Sequence, residues 1–323
     1  MVLSIVNATA REFLKKHTPG LFDTMRRVRQ EQYAVRSMRA ASLLHHGFKL
    51  AVPVNHSLRE ISEKAPRREE GLRIAARFLF AKDATGAYVD IGANVGDTAA
   101  VVRSVASWPM VLVEPSKTFF SYLERNAPLF GPDVKLVKGF LAAPSDVGST
   151  FTLSHWGGTA KPVLAPSPVS RAPDTFTLDE VCDGPVRLLK IDTDGYDLPL
   201  LHAYSSKLAA EGANLFFELE VRSLEDVQSW SDLTADLLGN GYSRLLVWDD
   251  PGHFMGSIDS AEQIAQLIRW QHSYQNSEHA ERARRHGAYV RICNFDVLAV
   301  AERDDAVADE ILAWYRAQQG MPE

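Results

Sequence analysis

The chain has 323 residues, 46% hydrophobic and 24% charged, which is the composition of an ordinary soluble globular protein. A net charge of -6 at pH 7 gives no reason to expect nucleic acid as a partner. Two cysteines, Cys182 and Cys293, do not suggest a disulfide framework, so we expect both to be reduced and the protein to be cytoplasmic. We find no uncharged apolar run long enough to span a bilayer, and the apolar start lacks the basic region of a signal peptide.

Basic residues are concentrated at the start of the chain. Residues 1–72 contain 13 Lys/Arg against 7 Asp/Glu, and the remainder contains 22 against 34. Apolar residues recur at helical spacing over residues 8–48, which predicts a helix broken at Pro19-Gly20. We interpret this segment as an extension that packs on the domain or on a second subunit. The alternative is a basic amphipathic arm on a membrane or a partner.

The next stretch leads from this extension into the main domain. Residues 47–54 predict a short strand that ends at Pro53, and residues 68–81 predict an amphipathic helix. We therefore divide the chain into an N-terminal helical extension over 1–72 and a second domain over 73–323. His45, His46 and His56 could line an entrance to a site, although scattered histidines more often have structural roles.

The most informative stretch runs from Tyr88 to Ala99. It predicts a strand over 88–91, a tight turn flanked by Gly92 and Gly96, and a helix that Asp97 and Thr98 can cap. Free N–H groups at a helix start favour a polar or anionic group of a ligand. The stretch therefore predicts a binding site for a small molecule.

Two acidic residues indicate which molecule binds. The turn lacks the G-x-G-x-x-G of a dinucleotide site, and Asp90, two residues before Gly92, would repel a pyrophosphate but suit a cationic amino-acid group. Glu114 follows a second apolar run at the distance where an acidic residue hydrogen-bonds a ribose diol. An amino-acid group, a ribose and a sulfonium together make S-adenosylmethionine.

Three motifs in order resemble one family. Val-Asp-Ile-Gly-Ala-Asn-Val-Gly over 89–96 is similar to motif I of the FkbM-type class I methyltransferases. Residues 174–180 and 188–201 are similar to the T-L-D-E and K-I-D-x-x-G-x-E segments of that family. The chain departs from the pattern at Asp197, where the family has Glu, and Pro199 is unusual in a helix.

The resemblance implies an S-adenosylmethionine site that extends over the glycine turn and the two following strand ends. The residues expected to bind the cofactor are Asp90, Gly92, Ala93, Asn94, Gly96, Asp97, Thr98, Glu114, Pro115, Ser116 and Asp192. The resemblance also implies a small inserted hairpin within residues 142–173, near the edge of the cofactor site.

Alternating strands and helices predict an α/β fold, namely a Rossmann-like seven-stranded, mostly parallel sheet. The predicted strands are 88–91, 110–113, 134–137, 187–191, 215–219, 243–248 and 295–300. Ligands of such sheets bind beyond the carboxyl ends of the strands, so acidic residues there should converge on one rim.

A hydroxyl that accepts a methyl group must lose its proton, which requires a nearby base. The candidates for catalysis are Asp192, Asp194, Glu218 and His155, and the choice among them stays open. Asp194 and Asp197 could equally be helix caps. Asp192, Glu218 and Glu220 could instead hold Mg²⁺, although three carboxylates at separate strand ends are a weak metal signal, and no zinc pattern is found.

The residues alone indicate cofactor binding and a site lined by carboxylates. The resemblance implies, in addition, an O-methyltransferase acting on a hydroxyl of a sugar, polyketide or other secondary metabolite. The acceptor would be a small molecule, a glycan or a glycolipid, and a homodimer could form through the extension. Two alternatives remain at this stage: a non-catalytic scaffold that keeps the cofactor fold, and a nicotinamide-dependent oxidoreductase on a similar sheet.

Overall fold

A computed structural model describes residues 39–156, 159–164, 173–285 and 294–319. The strands are β1 (Ala40–His45), β2 (Phe48–Pro53), β3 (Ala87–Ile91), β4 (Met110–Val113), β5 (Val134–Val137), β6 (Phe140–Leu141), β7 (Phe151–Trp156), β8 (Thr159–Leu164), β9 (Thr175–Phe176), β10 (Val186–Ile191), β11 (Asn214–Glu220), β12 (Tyr242–Asp249), β13 (Phe254–Ile258) and β14 (Asn294–Ala301). The α-helices are α1 (Leu58–Lys64), α2 (Glu70–Lys82), α3 (Asp97–Arg103), α4 (Lys117–Asn126), α5 (Leu178–Val181), α6 (Asp197–Glu211), α7 (Leu224–Gly239), α8 (Ala261–Gln275), α9 (Glu278–Arg285) and α10 (Asp305–Gln319).

Within the described residues, the largest sheet has eight strands in the order β13-β12-β14-β11-β10-β3-β4-β5. The five strands from β11 to β5 are parallel, whereas β14 is antiparallel to both of its neighbours and β13 is antiparallel to β12. The predicted Rossmann-like, mostly parallel α/β sheet is confirmed, and all seven predicted strands are present. The eighth strand, β13, was not predicted.

Apolar side chains cover both faces of this sheet. One face packs with α2, α3 and α4 around Trp108, Phe119 and Trp248, and the other packs with α6, α7 and α8 around Phe217 and Trp230. Strands buried on both sides explain the nearly continuous apolar runs of β3, β4 and β10. Asp90 and Lys190 are charged exceptions within these runs, and both lie near the carboxyl ends of their strands.

The predicted helix over residues 8–48 is wrong where the structure describes it. Residues 40–45 form β1, which pairs with β2 in an antiparallel hairpin closed at His46 and Gly47. Burial alternates along β1 with a period of two, as in a strand. The helical spacing in the sequence came mostly from residues that precede β1. Residues 1–38 lie outside the described part of the chain.

The inserted hairpin that the resemblance implied is present. Strands β7 and β8 pair antiparallel, with Phe151 opposite Leu164 and Trp156 opposite Thr159. Phe151 packs on Phe140 with ring centroids 4.3 Å apart, and both rings contact Tyr196 at the start of α6. These aromatic contacts attach the hairpin to β6 and to the start of α6.

Helix α3 begins differently from the prediction. The residue before the helix is Gly96, with φ of 88°, and its missing side chain leaves room for the Phe130 ring and for Leu123. Asp97 is the first residue of the helix, and the Thr98 hydroxyl donates to Asp90. Neither Asp97 nor Thr98 is therefore the N-cap, because glycine supplies the left-handed turn that this junction requires.

Pro199 has a simple place in α6. The helix starts at Asp197, so Pro199 lies in its first turn, where no backbone N–H is needed for a helical hydrogen bond. We expect Pro199→Ala to change the free energy of unfolding by no more than about 1 kcal/mol. Ala203 is exposed one turn further along the helix. We expect Ala203→Pro to lower the free energy of unfolding by about 3 kcal/mol. Urea unfolding of both variants measures this difference, and equal losses would contradict the assigned helix start.

The structure bears only in part on three further expectations, which concern the cysteines, a membrane-spanning segment and the domain division. Cys182 is a free cysteine, and Cys293 lies outside the described residues. No helix among the described residues is long and apolar enough to cross a membrane. The division at residue 72 stays a prediction, and α2 runs across that point.

Candidate active site

A cleft opens at the sheet edge where β3, β4, β10 and β11 end and β14 begins. The space between its walls amounts to about 1230 Å³, part of which is open to solvent. Of the predicted site residues, the cleft is lined by Gly92, Asn94, Asp97, Thr98, Glu114, Pro115, Asp192, Asp194 and Glu218. Asp90, Ala93, Gly96, Ser116 and Glu220 do not line it.

The glycine turn is fixed to the neighbouring strand. The backbone N–H groups of Gly92 and Ala93 both donate to the carbonyl of Val113 at 3.0 Å. Gly92 has φ of 86° and Asn94 has φ of 50°, so the chain turns through two left-handed residues. A Cβ added at Gly92 would collide with the carbonyl oxygen of Asp192. Glycine is therefore required here by the adjacent backbone.

Glu114 has both of its carboxylate oxygens fixed by backbone donors. The N–H of Asn94 donates to Oε2 at 2.9 Å, and the N–H of Ser116 donates to Oε1 at 2.6 Å. Glu114 is 3% exposed, and burial raises its pKa to about 8 against the opposing effect of the two backbone hydrogen bonds. Each oxygen keeps a further lone pair for a hydroxyl in the cleft.

Asp90 lies beneath the turn rather than in the cleft. It is 0% exposed, its Oδ1 is 3.2 Å from Lys190 Nζ, and its Oδ2 accepts from Thr98 Oγ1 at 2.6 Å. Lys190 stands directly opposite Asp90 in the pairing of β10 with β3. The expected contact of Asp90 with a cationic group of a ligand stays a prediction, and it requires Lys190 or Thr98 to give way.

Lys190 is a site residue that sequence reasoning missed. Its ammonium group is buried between two carboxylates, with Asp192 Oδ2 at 3.3 Å as the second partner. These two anions raise the pKa of Lys190 against the effect of its burial. A lysine inside the apolar run Leu188-Leu-Lys-Ile191 was the available signal, since such a charge needs an anionic partner.

The loop after β10 separates two roles that the sequence left open. Asp197 is buried, and its carboxylate accepts from the backbone N–H groups of Thr193 at 3.0 Å and Gly195 at 3.1 Å. Asp194 has φ of 56° and lines the cleft, and burial together with Asp192 raises its pKa to about 7. Asp197 therefore holds the loop in shape, while Asp194 faces the cleft.

A second group of charges lines the opposite side of the cleft. Arg68 Nη2 is 3.6 Å from Glu218 Oε1 and 3.3 Å from Asp250 Oδ1. Glu69 and Asp296 also line this side, and burial raises the pKa of Glu69 to about 7 and that of Asp296 well above its usual range. Sequence reasoning missed Arg68, Glu69 and Asp296.

Of the three histidines predicted near an entrance, His56 lines the cleft. His56 Nδ1 accepts from the backbone N–H of Leu58 at 3.1 Å, so its Nε2 carries the proton and donates to Asn94 Oδ1 at 3.1 Å. His45 and His46 do not line the cleft. The side chain of His155 lies outside the part of the chain that the structure describes, although its backbone pairs with the cleft residue Ala160.

The three carboxylates considered for a metal are not brought together. Glu220 pairs with Arg222 and does not line the cleft that Asp192 and Glu218 share. Across the described ranges, no three His, Cys, Asp or Glu side chains are grouped so that they could hold a metal ion.

A mostly parallel sheet with a glycine turn after one strand and an acidic residue after the next is typical of Rossmann-like α/β proteins whose ligand contains a ribose. Residues 90–275 match the methyltransferase FkbM domain, and this match extends over more than half of the 323 residues. The chain therefore belongs to the FkbM methyltransferase family. S-adenosylmethionine is the cofactor expected for this family.

Individual relatives are more distant. A stretch of 174 residues is 28% identical to Kelch repeat and BTB domain-containing protein 8 of Xenopus tropicalis, covering 52% of this chain and 28% of that protein. The FkbM methyltransferase structure from Methylobacillus flagellatus KT is 16% identical over 49% of this chain and 38% of its own, with a TM-score of 0.36. A methyltransferase from Thiobacillus denitrificans, solved with S-adenosyl-L-homocysteine, is 15% identical over 75% of this chain and 96% of its own, with a TM-score of 0.35.

Proposed function

We propose that the protein is an O-methyltransferase that moves a methyl group from S-adenosylmethionine to a hydroxyl of a sugar, polyketide or other secondary metabolite. The observation that carries the proposal is Glu114, whose two oxygens are both fixed by backbone donors at the wall of the cleft. Two fixed acceptors on one carboxyl group suit the two neighbouring hydroxyls of a ribose.

The residues of the cleft fit the expected cofactor. Glu114, Asn94 and Pro115 would hold the nucleoside, beside Phe140 and Leu141 at the same end of the cleft. Asp97 and Asp192 would face the cationic amino-acid part, since both carboxylates line the cleft. Asp90 would act from below through Lys190. S-adenosylmethionine supplies an activated methyl carbon when bound.

The protein's own contribution is orientation and charge. An aligned acceptor oxygen lowers the barrier by several kcal/mol, up to about 10 in favourable cases. The acidic side chains of the cleft, among them Asp192, Asp194 and Glu218, suit a positively charged donor and a neutral acceptor better than an anionic acceptor. A hydroxyl-bearing small molecule, glycan or glycolipid satisfies this condition.

The test is the affinity for S-adenosylhomocysteine measured by calorimetry. In Glu114→Gln an amide NH₂ would face one of the two backbone N–H groups, which loses a hydrogen bond and leaves a buried donor unpaired. We expect an affinity about 10-fold to 100-fold lower. Glu124→Gln, on an exposed face of the neighbouring helix α4, is the matched control and should bind normally.

Two results would contradict the proposal. Equal binding by wild type and Glu114→Gln would remove the assigned ribose contact. A change in NADH fluorescence on mixing with the wild type would favour an oxidoreductase instead. A cytoplasmic location, a homodimer through residues 1–72 and the domain division at residue 72 belong to the same proposal. Light scattering of the full chain and of a chain that lacks residues 1–38 tests the dimer, and the same number of chains per particle in both would count against a contact through those residues.

A further inference from the structure

Two carboxylates face each other across adjacent strands at the side of the cleft remote from Glu114. Glu218 on β11 is the direct partner of Asp296 on β14 in the antiparallel pairing. Both residues line the cleft. Directly opposed side chains of antiparallel strands have Cβ atoms about 4.5–5.5 Å apart, and opposed like charges at this distance destabilise the sheet unless one charge is removed.

The surroundings of the pair decide which member keeps its charge. Glu218 Oε1 accepts from the side-chain amide of Asn294 and is 3.6 Å from Arg68 Nη2. The charged groups that face the pair from the packed elements are Arg68 and Glu69 before α2, Asp192 after β10, Asp197 on α6 and Asp250 after β12. Four of these five are acidic, so the pair holds one proton more readily than two charges. Arg68 and Asn294 favour the charge on Glu218 and the proton on Asp296.

We propose that Glu218 accepts the proton of the acceptor hydroxyl during methyl transfer, and that Asp296 is the positioning residue that carries the proton of the pair and so leaves Glu218 as the anion. This inference rests on the proposed function. It assigns a base to the reaction and adds a residue that sequence reasoning did not identify.

The proposed step balances with the groups named. The hydroxyl oxygen forms a bond to the methyl carbon, the bond from that carbon to the donor sulfur breaks with its electron pair left on sulfur, and the hydroxyl proton goes to Glu218. The proton then leaves to solvent through the open side of the cleft. A base held within hydrogen-bond reach of the hydroxyl contributes about 10²-fold to 10⁴-fold in rate.

The other carboxylates of the cleft are less suited to this step. Asp192 is half-exposed, and its Oδ2 is already paired with Lys190 Nζ at 3.3 Å. Asp194 lies beside the β7–β8 hairpin, where Lys161 is a positive neighbour. Glu218 alone combines a fixed orientation, through Asn294, with a protonated partner directly opposite.

The first test follows the titration of side-chain carboxyls by ¹³C NMR in protein labelled at Asp and Glu, saturated with S-adenosylhomocysteine. The wild type is expected to show two coupled steps that belong to the pair, the upper one above the usual range of a carboxyl group. Either Glu218→Gln or Asp296→Asn should abolish the upper step. Glu220→Gln, a change on the same strand outside the cleft, should leave it in place. An upper step that is absent from the wild type, or that survives in both variants, overturns the inference.

The second test compares methyl transfer from labelled S-adenosylmethionine to neutral hydroxylated acceptors. Glu218→Gln is expected to lower kcat by about 100-fold or more with unchanged affinity for S-adenosylhomocysteine. Asp296→Asn should keep more activity and shift the pH profile. A Glu218→Gln variant with the wild-type kcat overturns the inference and leaves the proposed function standing. A wild type that does not bind S-adenosylhomocysteine contradicts the proposed function itself, so the two failures are distinguishable.

Discussion

Replacing Gly92 by alanine is expected to abolish measurable binding of S-adenosylhomocysteine and to lower the free energy of unfolding by about 2–5 kcal/mol. Two costs combine at this position. The residue has φ of 86°, a region that costs an alanine about 1–2 kcal/mol, and its new Cβ would collide with the carbonyl oxygen of Asp192. Relieving that collision moves the turn after β3 away from the loop after β10, and both carry groups of the cleft.

Gly148→Ala is the matched control for the backbone cost. Gly148 has φ of 83°, close to that of Gly92, and a Cβ there would meet no atom within 4 Å. Its loss of stability should therefore stay near about 1–2 kcal/mol, and its affinity for S-adenosylhomocysteine should be normal. Urea unfolding and calorimetry on both variants separate the two costs. Losses of the same size at both positions would show that the contact with Asp192 does not matter.

The regular part of the fold could be predicted because its signals are local. Buried parallel strands appear as short apolar runs, and Met110–Val113 or Leu188–Ile191 are recognisable without any partner. Strand β13 was missed because Phe254-Met-Gly-Ser-Ile258 has little apolar character, and it is only half-buried at the sheet edge. The strand Ala40–His45 was missed because a two-stranded hairpin leaves only an alternating pattern, which a helical reading of the preceding residues obscured.

The site could be predicted only on the side that follows the parallel strands. The rule that ligands lie beyond carboxyl ends predicted Glu114, Asp192 and Glu218 as cleft residues. Asp296 was missed because β14 runs the opposite way, so its beginning meets the edge where the other strands end. Arg68 was missed because the charged run from Arg67 to Glu70 resembles a solvated helix start. Neither position carries a local signal, since both depend on how distant segments meet.

The pairing of Asp90 with Lys190 could not be predicted for the same reason, because the two residues are 100 positions apart in the sequence. Lys190→Met is expected to lower the free energy of unfolding by about 3–5 kcal/mol, since it leaves the fully buried carboxylate of Asp90 without its counterion. Lys190→Arg should lose less, because the charge is kept. Urea unfolding at neutral pH measures these differences, and a loss below about 1 kcal/mol in Lys190→Met would contradict the assigned ion pair.

The double variant Asp90→Asn with Lys190→Met decides what Asp90 does for the ligand. Removing both charges takes away the buried unpaired ion, so the double variant should regain most of the stability lost in Lys190→Met, with a coupling energy of about 2 kcal/mol or more. If Asp90 only neutralises Lys190, affinity for S-adenosylhomocysteine should recover together with stability. If Asp90 instead contacts the ammonium group of the cofactor, Lys190→Met should free that carboxylate and retain affinity. The double variant, which lacks the carboxylate, should then bind weakly. The two roles predict opposite orders of affinity for Lys190→Met and the double variant. Unfolding and binding measured on both variants and the wild type therefore decide which role Asp90 has.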